Sequence, residues 1–383
     1  MRSAEVTATS IIVGGGLSGG LAALALAEAG RGATVTLIEE ADRLGGNHTW
    51  SFHDTDLDGD GRDFVAPFVT WRWPRQVVRF PRHQRTLPIG YATVTSERFD
   101  RVARERLARS GCDVRSNTRV ADVGRHEVRL TDGRALTADV VIDARGPRRP
   151  DVPAGYQKFV GLELELEADG PWTAPVVMDA TVAQLNGYRF VYVLPFTRRH
   201  VLVEDTVYAD EPDLDLAAME QRVLAYAAAN DARVRRVQRR ESGVLPLPLR
   251  TGAPAPTDGP LRIGYAGSFF HPVTGYSLPL AVRVAQALAR AGSAIEMRAA
   301  LASLARFLSP QHRFGCLLNR LMFGAMPPAD RWTALDRFYR LPAPIIARFY
   351  GSRTTVLDRL RLLLGRPPAG VSWRRLIGRA EAA

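Results

Sequence analysis

The chain has 383 residues, 46% of them hydrophobic and 24% charged, which is long enough for two or three domains at ~150 residues each and too evenly mixed for disorder. No stretch approaches the ~18 uninterrupted apolar residues of a membrane-spanning helix, and the N-terminus lacks a basic segment followed by a long apolar core, so a cytoplasmic protein is expected. Cys112 and Cys316 make neither a C-x-x-C motif nor a disulfide framework, which suits a reducing compartment. The formal net charge of +11 comes almost wholly from arginine, Lys158 being the single lysine. No helix-turn-helix, zinc-ligand spacing or aromatic-basic signature accompanies that charge, so no nucleic-acid partner is expected. An anionic membrane surface is the other partner that a basic chain suits.

In chain order, Ser10 to Val13 reads as a strand, followed by Gly14-x-Gly16-x-x-Gly19 and a helix-prone run to Ala29. A second strand from Ala33 ends at Glu39. Glycines at this spacing let the chain turn sharply, approach a pyrophosphate and pack a helix on the sheet, while an acid about 20 residues further on can bind a ribose hydroxyl. Strand, helix and acid all agree here, so dinucleotide binding is the reading. From about Asp54 to Gly90 the pattern is broken by Pro, Trp and Arg. A helix is predicted from Ser96 to Arg109, with Phe99, Val102, Ala103 and Leu107 at helical spacing, and a hairpin from Val128 to Leu136 turned at Asp132 and Gly133. Ala138 to Gly146 returns as a strand ending in a glycine turn.

Several strands then follow between about Gly161 and Tyr208, read as one mostly antiparallel sheet. A helix is predicted from about Leu216 to Asn230, a strand from Leu261 to Gly267, a second helix from about Pro279 to Gly292, and an Arg- and Leu-rich helical remainder. A simple NAD-dependent dehydrogenase would continue with regular βαβ units. The interruption by an antiparallel sheet favours FAD, with Gly267 to Gly275 bringing a loop and a helix N-terminus to the flavin ring. The fold class is therefore α/β: a Rossmann-type FAD-binding domain in three pieces (1–55, 91–158 and 258–298), a mostly antiparallel substrate-binding sheet (56–90 and 159–257), and a helical C-terminal region (299–383).

The segments Gly45 to His53, Met178 to Thr181, Asn186 to Tyr192, Val203 to Thr206 and Phe270 to Leu280, with Arg337 to Pro342 and Ile346 to Tyr350, resemble the signature stretches of bacterial lycopene beta-cyclases. That resemblance implies cyclisation of the linear psi-ends of lycopene to beta-ionone rings, with FAD required in reduced form although there is no net redox change, and NAD(P)H as the electron source. The expected cofactor-binding residues are Gly14, Gly16, Leu17, Ser18, Gly19, Glu39, Gly46, Asp143, Gly146, Gly267, Pro272, Thr274, Gly275, Tyr276 and Ser277.

Alternation in a strand sends Leu202, Glu204, Thr206 and Tyr208 one way and Val203, Asp205 and Val207 the other. The resemblance places the catalytic acid at Glu204, and Asp205 is the second catalytic candidate. Protonating an unactivated alkene needs a neutral carboxylic acid, which an apolar pocket supplies by desolvation. Asp179 and Glu241 are secondary acidic candidates, ranked behind Glu204 because each reads first as a structural partner of arginine. Trp50, Phe52, Trp71, Trp73, Tyr188, Phe190 and Tyr192 can wall a hydrocarbon tunnel or simply fill a core. His48, His53 and His271 lack metal-ligand spacing, and no metal is expected. Glu163, Glu165 and Glu167 read as a solvated edge strand. An FAD-dependent hydroxylase or isoprenoid-chain reductase is the competing reading. A lipid-dissolved substrate also implies a peripheral protein on the inner face of the cell membrane. Its docking candidate is the segment from Arg298 to Arg320 with Leu301, Leu304, Phe307, Leu308, Leu317 and Leu318, and Leu321 just beyond it.

Overall fold

A computed structural model describes residues 9–146, 152–252, 258–365 and 367–372. Parts of the predicted domains, residues 1–8, 147–151, 253–257, 366 and 373–383, lie outside the described residues.

The fully buried apolar run Ser10–Val13 sits at the centre of a five-stranded parallel sheet. Strands Val140–Asp143 and Leu261–Arg262 lie to one side of it, and Val35–Ile38 and Asp113–Arg115 to the other. A strand with residues buried on both faces needs cover on both. Helix Leu17–Leu26 packs against helices Leu278–Arg290 and Ser96–Arg109 on one face. A three-stranded antiparallel sheet, Val120–Val123, Glu127–Leu130 and Ala135–Thr137, supplies Val128 and Leu130 to the apolar cluster on the other. Close packing of the first helix depends on Gly19 and Gly20: a Cβ on Gly19 would lie 1.9 Å from the Gly14 carbonyl oxygen, and one on Gly20 would lie 2.6 Å from Phe99.

The second large sheet has seven strands in the order Val234–Pro248, Ala154–Leu166, His200–Ala209, Tyr188–Pro195, Val176–Asp179, Gln76–Phe80, His83–Leu87. Every pairing is antiparallel except that of Val176–Asp179 with Gln76–Phe80. One face carries Leu162, Leu164, Val201 and Val203, and packs on helix Leu216–Ala229 through Val223, Tyr226 and Ala227. The other face looks toward the parallel sheet and the C-terminal helices Ala294–Asn319, Trp332–Phe338, Ala343–Tyr350 and Val356–Leu363.

Three expectations change. Strand Ala154–Leu166 lies inside the sheet between two partners, so Glu163 and Glu165 are not on a solvated edge; they pair with arginines of the neighbouring strand, Glu163 with Arg239 and Glu165 with Arg236. Not all of 56–90 joins the large antiparallel sheet, because Trp71–Trp73 pairs with Tyr91–Thr95, which also pairs with Thr49–His53 in a small sheet of its own. The last parallel strand stops at Arg262, and Gly264–Gly267 is a tight helical turn.

Candidate functional site

A cavity of about 1210 Å³ runs between the two large sheets and on under the C-terminal helices. It exceeds the ~300–1,000 Å³ of ordinary small-molecule pockets, so it has room for two ligands in contact.

One end is built by the glycine-rich turn. Gly14, Gly16, Leu17 and Ser18 line the cavity, with Glu39 and Gly46 across from them. Gly14 has φ +101 and lies so close to residue 144 that a Cβ would come within 3.0 Å of its backbone. Gly16 differs: a Cβ there would meet no protein atom within 4 Å. The protein's own packing therefore does not demand a glycine at 16, and the space its missing side chain leaves opens into the cavity. The Glu39 carboxylate is oriented by N–H groups of Gly15 (2.6 Å) and Ala41 (2.9 Å). Open space at a helix start can take a phosphate group, and an oriented carboxylate beside it can take a hydroxyl.

A second helix N-terminus faces the same space. Thr274, Gly275, Tyr276 and Ser277 line the cavity where helix Leu278–Arg290 begins. Gly275 has φ +65 and its carbonyl accepts the Tyr265 hydroxyl at 2.8 Å, so the loop is held in a conformation that other residues avoid. The unpaired N–H groups at this helix start attract negative charge.

The opposing sheet supplies the acid. Glu204 lines the cavity and its Oε1 accepts the Thr206 hydroxyl at 2.5 Å, two residues on along the same face. Removal from water raises its carboxyl from an ordinary 4.5 to about 8, with the neighbouring Glu241 charge adding to the rise. Tyr192, directly across the ladder from Glu204, donates to Ser51 Oγ at 2.8 Å and contacts the Tyr91 hydroxyl at 3.0 Å. Asp205 does not join this group. It is fully buried on the other face of the strand, where Arg189 Nε and Arg222 Nε each bind it at 2.6 Å. The period of two along the strand sends it there, and its expected catalytic role gives way to a structural one.

Other expected site residues also stand back from the cavity wall. Gly19 serves helix packing, as above. Asp143 holds Arg145, which does line the cavity, through two bonds of 2.8 Å. Gly267 is closed against the Arg262 carbonyl, and Pro272 packs on Gly315. Gly146 lines the wall as expected. Of the aromatic candidates, Trp50, Phe190 and Tyr192 line the cavity; Phe52 and Tyr188 are core, and Trp71 stacks on Phe196. Asp179 binds Arg79 (3.3 Å) and the Tyr226 hydroxyl (2.8 Å), a structural role.

Three features go beyond the sequence reading. Glu241 does bind an arginine, Arg239, but it also lines the cavity beside Glu204. Gln76 is fully buried at the cavity wall, and neither its amide oxygen nor its nitrogen has a protein partner. The far arm of the cavity is apolar, walled by Leu317, Leu318, Leu321, Met322, Leu335, Phe338, Phe349, Leu362 and Leu363.

That arm changes the reading of helix Ala294–Asn319. Its Leu301 and Leu308 are buried and its Leu317 and Leu318 face the cavity, leaving Phe307 and Ile295 as its large exposed apolar side chains. The larger exposed apolar group is on helix Val356–Leu363 and the residue after it: Val356, Leu357, Leu360, Leu363 and Leu364. This helix is turned inside out. Its acid, Asp358, is buried on two bonds from Arg348 (2.7 and 2.6 Å), with Leu362 half-buried beside the core, while Val356, Leu357 and Leu360 face outward. Arg353 and Arg361 flank them in the open. No helix among the described residues is long and apolar enough to cross a membrane.

The model of the family described as lycopene cyclase protein matches residues 10–376. The chain is 41% identical over 366 residues to a lycopene beta-cyclase of Pantoea ananas, covering 94% of this chain and 95% of that protein. It is 39% identical over 367 residues to a lycopene beta-cyclase of a Paracoccus species, covering 94% of each. Among solved structures it is similar to a geranylgeranyl bacteriochlorophyll reductase-like protein from Thermoplasma acidophilum, with TM-score 0.66, 14% identity, and 98% and 99% of the two chains covered. It is also similar to a flavin-dependent brominase, with TM-score 0.62, 16% identity, and 90% and 93% covered. The solved structures establish the shared fold of flavin-dependent enzymes and no more than that.

Proposed function

This chain belongs to the lycopene cyclase family, and from that premise we infer that it is a lycopene beta-cyclase, an isomerase that closes the psi-ends of lycopene into beta-ionone rings, giving beta-carotene by way of gamma-carotene. The observation that carries the mechanism is a carboxyl group, Glu204, held near the neutral form on the wall of a largely apolar cavity. Lycopene offers no carbonyl or phosphate for an enzyme to polarise, so its terminal double bond must take a proton directly. Glu204 is the proton donor. Its hydroxyl O–H bond breaks as the new C–H bond forms, and the tertiary cation is captured by a neighbouring double bond to close the ring. Loss of a ring proton leaves the beta product, with nothing oxidised or reduced. Enclosure excludes water, which would otherwise trap the cation. Tyr192 and Phe190 offer ring faces to positive charge.

FAD fits the remaining wall. Gly14, Gly16 and Glu39 would hold its pyrophosphate and adenosine ribose, and Gly275 to Ser277, at the start of the second helix, its flavin ring. When bound and reduced, it supplies negative charge to offset the cation. NAD(P)H from solution is the proposed electron source. A redox reading, as hydroxylase or isoprenoid-chain reductase, shares the fold but leaves an acid on the cavity wall without a task. Anaerobic incubation of the protein with lycopene, FAD and a reductant separates the two: cyclic product without stoichiometric NAD(P)H oxidation is the expected result, and one equivalent oxidised per ring would overturn it.

Lycopene is dissolved in lipid, so we place the protein on the cytoplasmic face of the cell membrane, docked through the outward leucines of helix Val356–Leu363. Leu362 and Leu363 of that helix line the apolar arm of the cavity, so substrate can pass from bilayer to site beneath it. Exposed Arg353 and Arg361 suit anionic headgroups.

A further inference from the structure

Strand register sets a second carboxylate beside the acid. Glu204 lies directly across from Gly161 in one ladder, and Gly161 lies directly across from Glu241 in the next. Residues opposite one another in a sheet point to the same face. The two glutamates therefore share one face of three adjacent strands with a glycine between them. Strands are spaced at ~4.8 Å, which puts the two Cα atoms about 10 Å apart, a gap that two glutamate side chains can close between them. The middle position has to be empty for this. A Cβ on Gly161 would lie 2.9 Å from Glu241 Cγ and 3.2 Å from its Oε1, so the Glu241 carboxylate occupies the place of the missing side chain.

The two carboxyl groups are held differently. Glu241 Oε2 accepts from Thr49 Oγ1 (2.9 Å) and Arg239 Nη1 (2.8 Å), while Oε1 lies over the glycine. Burial leaves Glu241 above the ordinary carboxylate value, with its bonded arginine pulling it part of the way back. Glu204 has no arginine, and the charge of Glu241 pushes it further up. Glu241 thus ionises first, leaving one carboxylate and one carboxylic acid side by side, the arrangement that divides base from acid in other two-carboxyl sites. The other charged and titratable groups around the pair are Glu163 and Glu97, both on Arg239 (2.9 and 3.5 Å), together with His48, Tyr192 and Tyr208, with Asp205 on the far side of the strand.

Ring closure needs two proton transfers at different carbons, one in and one out, and Glu204 accounts for the first. Resting on that reading, we propose that Glu241 is the base that removes the ring proton and returns it to Glu204 across Gly161. In the outward step the ring C–H bond breaks, its electron pair becomes the ring double bond, and the proton goes to Glu241. Transfer from Glu241 to Glu204 then restores the starting state, with the Arg239 pair re-formed. The cycle takes no proton from solvent and gives none up, which suits a cavity that must stay dry.

The test compares Glu241→Gln, Glu241→Asp and Glu204→Gln as FAD-loaded proteins, measuring kcat and its pH profile with lycopene under reducing anaerobic conditions. Glu241→Gln is expected to lower kcat at least about 100-fold, the scale of a lost general base, with little change in KM. Its residual activity should fall off at lower pH than in the wild type, because the remaining acid no longer faces a negative charge. That shift reports the Glu241 charge beside Glu204, whereas the loss of kcat at unchanged KM reports the missing base. Glu241→Asp keeps the charge and the arginine pair but shortens the reach over Gly161; it is expected to fold, to keep its alkaline limb and to lose kcat, which carries the test should the glutamine variant not fold. Wild-type kcat in either Glu241 variant overturns the proposal. If Glu204→Gln is inactive while Glu241→Gln is normal, only the base assignment fails; if Glu204→Gln is also normal, the acid assignment fails with it.

Discussion

Exchanging Glu204 for glutamine should make the protein inactive and more stable at once. The change keeps size and an oxygen for the Thr206 hydroxyl but removes the transferable proton, so cyclisation should fall at least about 100-fold, the scale of a lost general acid. Stability moves the other way. In the unfolded chain the carboxyl titrates at its ordinary 4.5, and in the folded protein at about 8. Folding takes up a proton between those values, so stability at this position is fully present below pH 4.5 and is lost as pH rises through 8. At pH 7 the cost is about 3 kcal/mol, and glutamine does not carry it. With an unfolding entropy of ~2.1 cal/mol/K per residue, 383 residues give about 0.8 kcal/mol/K, so the variant should melt about 4 °C higher at pH 7. That gain should shrink to nothing toward pH 4. Thermal melts at pH 4, 7 and 8, beside product analysis, check both halves. A variant that cyclises lycopene at near wild-type rate, or that melts lower than wild type at pH 7, would refute the reasoning.

Gly16→Val should fold normally but lose FAD, because its side chain would enter open cavity space; retention of stoichiometric flavin by a soluble, wild-type-melting variant counts against the pyrophosphate seat. Gly19→Val should instead disrupt the fold, since its Cβ would strike the Gly14 carbonyl oxygen, and circular dichroism tells the two apart. Asp205→Asn should destabilise by about 3 kcal/mol, the scale of a broken buried pair, because Arg189 and Arg222 lose their shared carboxylate; a thermal melt unchanged from wild type would contradict this. Replacing Leu357 and Leu360 with serine should abolish flotation with anionic liposomes while leaving turnover of detergent-dispersed lycopene intact, and undiminished flotation would move the docking face elsewhere.

The glycine-rich turn between strand and helix was legible because it is local. Strand, glycines, helix and Glu39 lie within one short stretch, and the steric reason for each glycine is written in its spacing. The facing of Glu204 and Asp205 was legible for the same reason, since a period of two needs only neighbours along one strand. The place of Glu241 was not. An arginine partner was foreseeable, but its position beside Glu204 is set by two ladder registers and by the empty place at Gly161, contacts between strands far apart in sequence. Helix Val356–Leu363 shows the limit most clearly. Its leucine spacing defines an apolar stripe, and such a stripe ordinarily faces a core. Here Arg348 captures Asp358 on the inner side and the stripe is left outward, a choice made by packing between helices that periodicity within one helix does not encode.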